Sequence, residues 1–279
     1  MALKLLAVDL DGTLLDPTGV AHERDVRALR VAINAGVTVS IITGRLYSGT
    51  RATAELIGLR GPVGCADGSH VVRAHDHETL LHHAIRGKHA SAMRDSLMTH
   101  GAAGFLFARD TIVHDPSGDM FLPYVRTWSN DIRRAESLAA HELWMHDDGL
   151  TAVVAVGTGE QISRTFEQIG KELGDAAQVA MFQIRRVPGM WGLVARGGGT
   201  KGSALQWIAD HHGIDREQTA CVGDWLNDIP MMQAAARAYA MGQAPDEVKK
   251  NATRVLTETC ETGGGIARVV EVELGIRVE

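Results

Sequence analysis

Cysteine is scarce in this chain. Three thiols in 279 residues, Cys65, Cys221 and Cys260, are too few and too scattered for a disulfide framework or a Cys-x-x-Cys metal site. We read them as small buried thiols of a protein from a reducing compartment. An excess of positive charge is missing too: 28 basic against 34 acidic residues give a formal net charge of -6. That leaves no basic footprint for nucleic acid, so an anionic substrate must be attracted by local groups or by a bound cation. No apolar run approaches the roughly 18 residues of a membrane span. The stretch from Ala2 to Val8 is too short for a signal-peptide core and is cut off by Asp9 and Asp11. A soluble cytoplasmic protein with no nucleic-acid or membrane partner is the expectation. The sequence has no internal repeat and no low-complexity segment.

What is present is an alternation of strand and helix signals at both ends of the chain. Residues 3 to 8 are a continuous apolar run, the pattern of a buried parallel strand. Val26, Leu29, Ala32 and Ile33 fall at helical spacing between 22 and 35, with Gly36 placed to end the helix, and the β-branched run Val37 to Ile42 follows. Strand, helix, strand is a βαβ unit. Near the end of the chain the spacing predicts a helix over 201–212, a strand over 219–222, a helix carrying Ile229, Met232 and Ala236, a strand over 239–241, and helices over 246–251 and 265–274.

The middle differs. Phe105, Phe107 and Ile112 alternate around a turn at Arg109-Asp110, 151–156 is a strand, 160–173 a helix, and 178–187 with 191–195 an antiparallel pair around Pro188-Gly189. The expected architecture is α/β: a Rossmann-like doubly wound parallel-sheet core over 1–84 and 192–279, with an inserted α+β domain over 85–191. A length of 279 residues suits about two domains of roughly 150 residues. Gly197-Gly198-Gly199 marks one crossing.

The chemistry collects at predicted strand ends. Asp9-Leu10-Asp11-Gly12-Thr13 follows the first strand, and two acids spaced two apart point the same way. Taken alone, Asp-Gly is also a hairpin turn. Thr43 follows the second strand, Lys201 opens a helix, and Gly223-Asp224-Trp225-Leu226-Asn227-Asp228 follows the strand at 219–222. Ligands of open parallel sheets bind at the carboxyl ends of the strands, so residues 200 positions apart can converge there. Each residue alone has a plainer reading: Thr43 as a strand-end residue, Lys201 as a surface lysine, Asp224 and Asp228 as helix caps. Gly197 to Lys201 is not a P-loop, because that motif needs Gly-Lys-Ser/Thr and the chain has Thr-Lys-Gly. His75, His77, His82, His83 and His89 read as a solvated turn and helix surface rather than a metal site, and Met231-Met232 as core.

Four motifs, DLDGTLL at 9–15, ITGR at 42–45, TKGSAL at 200–205 and GDWLND at 223–228, together with AMG at 240–242, resemble the haloacid dehalogenase superfamily. The likeness is to its Cof-type branch (subfamily IIB), in which a larger α+β cap is inserted after the second motif. The resemblance implies a phosphatase in which Asp9 is the nucleophile and Asp11 the general acid and base. Phosphoryl oxygens would be held by Leu10, Gly12, Thr43, Gly44, Lys201 and Asn227. Phosphate-monoester hydrolysis is very slow uncatalysed, and a carboxylate nucleophile divides it into formation and breakdown of an acyl phosphate.

Asp9, Asp11, Asp224 and Asp228 would repel one another and a phosphate dianion unless a divalent cation sat among them, and hard oxygen donors beside a phosphate favour Mg²⁺. Asp11 would bind it through its carbonyl, Asp224 directly and Asp228 through water. Where the Cof branch has Asn-Gly-Ala, this chain has Asp67-Gly68-Ser69. Asp67 and Ser69, with Arg45, are candidate substrate contacts, as are Arg185, Arg186 and Trp191 in the insertion. The implied substrate is a small phosphate ester, a sugar phosphate first. A sugar phosphomutase and a non-catalytic phospho-ligand sensor are the alternatives; the second would be marked by loss of the nucleophile or a metal acid, and all are present. The motifs leave the oligomeric state open.

Overall fold

The computed structural model describes residues 1–184 and 188–278, and the chain divides into two compact units. One comprises Met1–Gly44, Thr50–Leu80 and Thr200–Glu279, the other Arg45–Gly49 and Leu81–Gly199.

The first unit is an α/β fold on a parallel sheet. Leu5–Val8 lies at its centre between Thr219–Gly223 and Thr38–Ile41, with Arg237–Ala240 and the short edge strand Arg254–Val255 beyond Thr219–Gly223. All four residues of the central strand are buried, since helices cover a parallel sheet on both faces and leave no solvated side for polar residues. The register sets Val8 level with both Val222 and Ile41. Asp9, Gly223-Asp224 and Ile42-Thr43 therefore leave the sheet along one edge. Glu23–Asn34, which buries Val26, Ala28, Leu29 and Ala32, packs against Gly265–Leu274. Asp25 of the first helix accepts the N–H groups of Gly264 and Ala267 at 2.8 Å each, and so caps the second helix from outside it. Lys201–His211 packs against Ile229–Ala234.

Pro62–Cys65, His70–Arg73 and Thr79–His82 form a small separate sheet, joined to the main one by a parallel bridge between Ile42 and Gly64. His75 to Glu78 make the turn between its last two strands, where Arg73 pairs with Asp76. His82 is not part of that solvated turn. It ends the third strand and hydrogen-bonds Thr151.

The helix that the spacing extends to Ala236 stops at Ala234. The Arg216 guanidinium donates to the carbonyls of Gln233, Ala234 and Ala235, and the Ala236 N–H goes to the Thr219 hydroxyl. Those bonds take the place of the next helical turn.

The second unit is a six-stranded sheet in the order Gln178–Gln183, Met190–Arg196, Ala152–Thr158, Ala103–Ala108, Thr111–His114, Asp131–Arg134. Gly87–His100 and Gly159–Leu173 pack over one face, with Met93, Leu97, Ile162 and Ile169 set on Leu106, Val153, Ala155 and Leu193. The alternation of Phe105 and Phe107 suggests a strand with one solvated face, yet Leu106 between them is buried as well. Phe105 and Phe107 are covered by the segment that follows the hairpin: Phe107 meets Trp128 at 5.6 Å, and Trp128 meets Tyr124 edge-on at 4.9 Å. That segment returns as Asp131–Arg134, parallel to Thr111–His114, so the edge of this sheet is not a hairpin. Trp191 packs against the core of this unit. Arg185 and Arg186 lie outside the described residues. All three cysteines are buried free thiols.

Candidate active site

The shared sheet edge carries a buried ionic cluster. Lys201 is 1% exposed although it opens a helix. Thr200 sets it there: the Thr200 hydroxyl accepts the Ser203 N–H at 3.1 Å, and the Thr200 N–H donates to the Ser203 hydroxyl at 2.9 Å, a reciprocal cap that fixes the first turn. A cation at a helix N-terminus is disfavoured by the helix dipole, so Lys201 needs acidic partners. Its Nζ donates to Asp9 Oδ1 and, at 2.6 Å, to Asp228 Oδ1. Ligand atoms of Asp9, Asp224 and Asp228 lie within 4.8 Å of one another.

Three buried carboxylates share one ammonium, and their protonation reflects it. Burial first, then the charges of Asp228 and Asp224, push Asp9 well above the usual carboxylate range against the pull of Lys201. Burial, followed by the Asp228 charge, pushes Asp224 up to about 6, against the Thr13 hydroxyl that stabilises its anion. Burial works against the charge of Lys201, yet Asp228 and Asp9 raise its pKa further. Three carboxylates against one ammonium leave an excess of negative charge, which a divalent cation would offset. The donors fit a hard oxygen-seeking ion. Asp228 Oδ2 already accepts the N–H groups of Asp224 and Trp225 at 2.8 and 2.9 Å while Oδ1 takes Lys201, so Asp9 and Asp224 are better suited to direct ligation.

Two residues of this cluster's surroundings are missed by the motif reading. Thr13 Oγ1 donates to Asp224 Oδ1 at 2.8 Å. Gln243 Nε2 donates to the Gly12 carbonyl at 2.6 Å, and its Oε1 accepts the Cys260 N–H. Gln243 directly follows the Ala240-Met241-Gly242 segment, which was the available clue. Gly12 has φ 85°, and a Cβ there would stand 2.5 Å from Asp224 Oδ2. Only glycine fits. Its N–H donates to the Leu15 carbonyl, so Gly12 contributes clearance rather than a free phosphate donor.

The other sequence candidates take their places around this cluster or away from it. Asp11 has an exposed side chain and is not among the three clustered acids, so three of the four acids converge and not all four. Leu10 is buried, and its carbonyl accepts the N–H groups of Leu14 and Leu15. Thr43 is buried, with its N–H on the Gly64 carbonyl and its own carbonyl accepting the Asp67 N–H, both at 2.9 Å. Asn227 donates one amide N–H to Asp67 Oδ1 at 3.0 Å. Ser69 is buried, and its hydroxyl has no hydrogen-bond partner. Arg45 falls in the second unit, where its guanidinium donates to the Gly49 carbonyl.

A family model for haloacid dehalogenase-like hydrolases matches residues 6–270. The chain belongs to that family. As a haloacid dehalogenase-like hydrolase it is an enzyme, and among its similar curated proteins is the pyridoxal phosphate phosphatase YbhA of Escherichia coli K12. That protein is 27% identical over 277 residues, covering 92% of this chain and 94% of the relative. A haloacid dehalogenase-like hydrolase from Bacteroides thetaiotaomicron shares the fold with a TM-score of 0.81 at 21% identity, covering 97% of this chain and 99% of the other. The subclass IIB sugar phosphatase BT4131 does so with a TM-score of 0.74 at 22% identity, covering 98% and 99%. The parallel-sheet core with its separate α+β unit is thus the fold of these haloacid dehalogenase-like structures. No helix among the described residues is long and apolar enough to cross a membrane.

Proposed function

We propose that this hydrolase cleaves small phosphate monoesters, sugar phosphates foremost, through a phosphoryl-aspartate on Asp9. The single observation that carries the reading is the buried cluster of Asp9, Lys201, Asp224 and Asp228 at the carboxyl edge of a parallel sheet. Such a cluster costs stability without a ligand, and its charge suits a phosphoryl group together with a cation.

In the first step an oxygen of Asp9 attacks phosphorus, the P–O bond to the organic group breaks, and the departing oxygen takes a proton from Asp11. In the second, Asp11 takes a proton from water, whose oxygen attacks phosphorus; phosphate leaves and the Asp9 carboxylate is restored. Lys201 holds the Asp9 carboxylate in one orientation and neutralises charge on the incoming phosphoryl group. Thr43, Gly44 and the second amide N–H of Asn227 are donors for its oxygens. Asp9 and Asp224 would hold Mg²⁺ directly, with the Asp11 carbonyl and Asp228 through water, and the ion would neutralise the excess charge and polarise the phosphoryl group.

Asp9→Asn tests this. The amide is nearly isosteric but cannot form the acyl phosphate, so turnover of para-nitrophenyl phosphate should fall at least about 1,000-fold with the fold intact by circular dichroism. Wild-type turnover in Asp9→Asn excludes covalent catalysis at this residue. A requirement for a bisphosphorylated sugar activator would move the reading to a mutase.

A further inference from the structure

The turn after Pro62–Cys65 places an acid where the proposed chemistry has no use for one. Ala66, Asp67 and Gly68 take φ of 48°, 52° and 95° in succession. Aspartate is among the few side chains that tolerate this left-handed region, whereas Ala66 is strained there, and strain of this kind collects at functional sites. Asp67 is 5% exposed. Its N–H donates to the Thr43 carbonyl, its Oδ1 accepts from Asn227, and a Cβ added to Gly44 would lie 3.3 Å from that same oxygen. Its charge is also one of those that keep Lys201 protonated.

Thr43, Gly44, Asn227 and Lys201 are the groups assigned above to the phosphoryl oxygens, and Asp67 touches or feels all four. A carboxylate cannot donate to a phosphate. Held among the donors, it raises the local negative potential, penalising an anion close by and rewarding a cation or a hydroxyl donor. The interaction is weakly screened because the group is buried.

Resting on the phosphatase reading, we propose that Asp67 is a charge filter for the organic part of the substrate: it disfavours phosphomonoesters with a second anionic group next to the ester and favours those offering a hydroxyl or ammonium donor there.

Three two-carbon esters differing only in their end group test this: phosphoglycolate (carboxylate), 2-hydroxyethyl phosphate (hydroxyl) and phosphoethanolamine (ammonium). For the wild type, kcat/KM should be lowest for phosphoglycolate. Asp67→Asn keeps the left-handed turn and an acceptor for Asn227 while removing the charge. In that variant the ratio of phosphoglycolate to 2-hydroxyethyl phosphate should rise about tenfold, and that of phosphoethanolamine to 2-hydroxyethyl phosphate should fall. A residue serving only the turn would leave both ratios unmoved. Unmoved ratios in a folded Asp67→Asn, or a wild type that prefers phosphoglycolate, overturn the filter and leave the phosphatase reading standing. Because the wild-type ranking needs no variant, it decides even if Asp67→Asn fails to fold. A wild type that hydrolyses none of the three, nor para-nitrophenyl phosphate, overturns the phosphatase reading and the filter with it.

Discussion

Thr13 acts on the site through a single hydroxyl. It donates to Asp224 Oδ1 across 211 positions of sequence, fixing which face of that carboxylate is left for a cation. Groups that orient metal ligands typically contribute a factor of 10–100 to metal affinity. Thr13→Val, close in shape but without the donor, should therefore raise the Mg²⁺ concentration for half-maximal activity roughly tenfold; titration of the chelated enzyme with Mg²⁺ reads this, and an unshifted midpoint removes Thr13 from the metal's surroundings. Asp9, Lys201, Asp224 and Asp228 were legible in the sequence because each sits at the end of an element whose pattern places it on a common edge. The partnership of Thr13 with Asp224, and of Gln243 with the Gly12 carbonyl, was not. These bonds depend on which loops meet, and local periodicity carries no information on that. The exposed Asp11 side chain shows the converse limit: spacing places two acids on one strand end without saying how far the chain turns between them.

Among the elements, the helix Lys201–His211 carries the most function on its first turn. Its reciprocal cap by Thr200 and Ser203 stabilises the end that must hold a buried ammonium. Removing such a cap hydroxyl costs about 1 kcal/mol. Thr200→Ala should lower the unfolding free energy by about that amount in urea and, by loosening the backbone beneath Lys201, lower kcat as well. Full stability together with full activity would show that Ser203 alone suffices. Helices near the end of the chain could be read from the sequence almost to their boundaries, as 246–251 and 265–274 show. Asp131–Arg134 could not. An edge strand with one apolar residue in four has no alternation to detect, and its pairing with Thr111–His114 is parallel, which no hairpin turn announces. The stop at Ala234 was equally hidden, because the guanidinium that caps it comes from Arg216.

For the molecule as a whole, acid stability falls into separate pH windows. Asp119 and Asp131 have carboxyls lowered chiefly by hydrogen bonds from Arg134 and Arg133, so what they contribute is lost only as pH drops below the usual carboxylate range. His82 acts higher. Burial first, then the Arg86 and Arg109 guanidinium groups, lower it to about 4, against a weaker opposite pull from Asp148. Its Nε2 lies 2.9 Å from the Thr151 hydroxyl, which also accepts the Arg109 N–H at 2.9 Å. A neutral ring can accept the Thr151 proton, whereas a charged one cannot. Between pH 6.5, the ordinary value, and about 4 the unfolded chain binds a proton at this position that the native protein does not. Stability therefore rises with pH across that window and is lost as pH falls through it. Allowing for partial exposure, the loss should be about 1–2 kcal/mol. His82→Gln retains an acceptor for Thr151 and does not titrate. Urea unfolding at pH 7 and pH 4.5 should show the wild type losing more stability than His82→Gln by that amount; because every other titrating group is common to both proteins, equal losses would mean that the native ring takes up its proton as readily as the unfolded one.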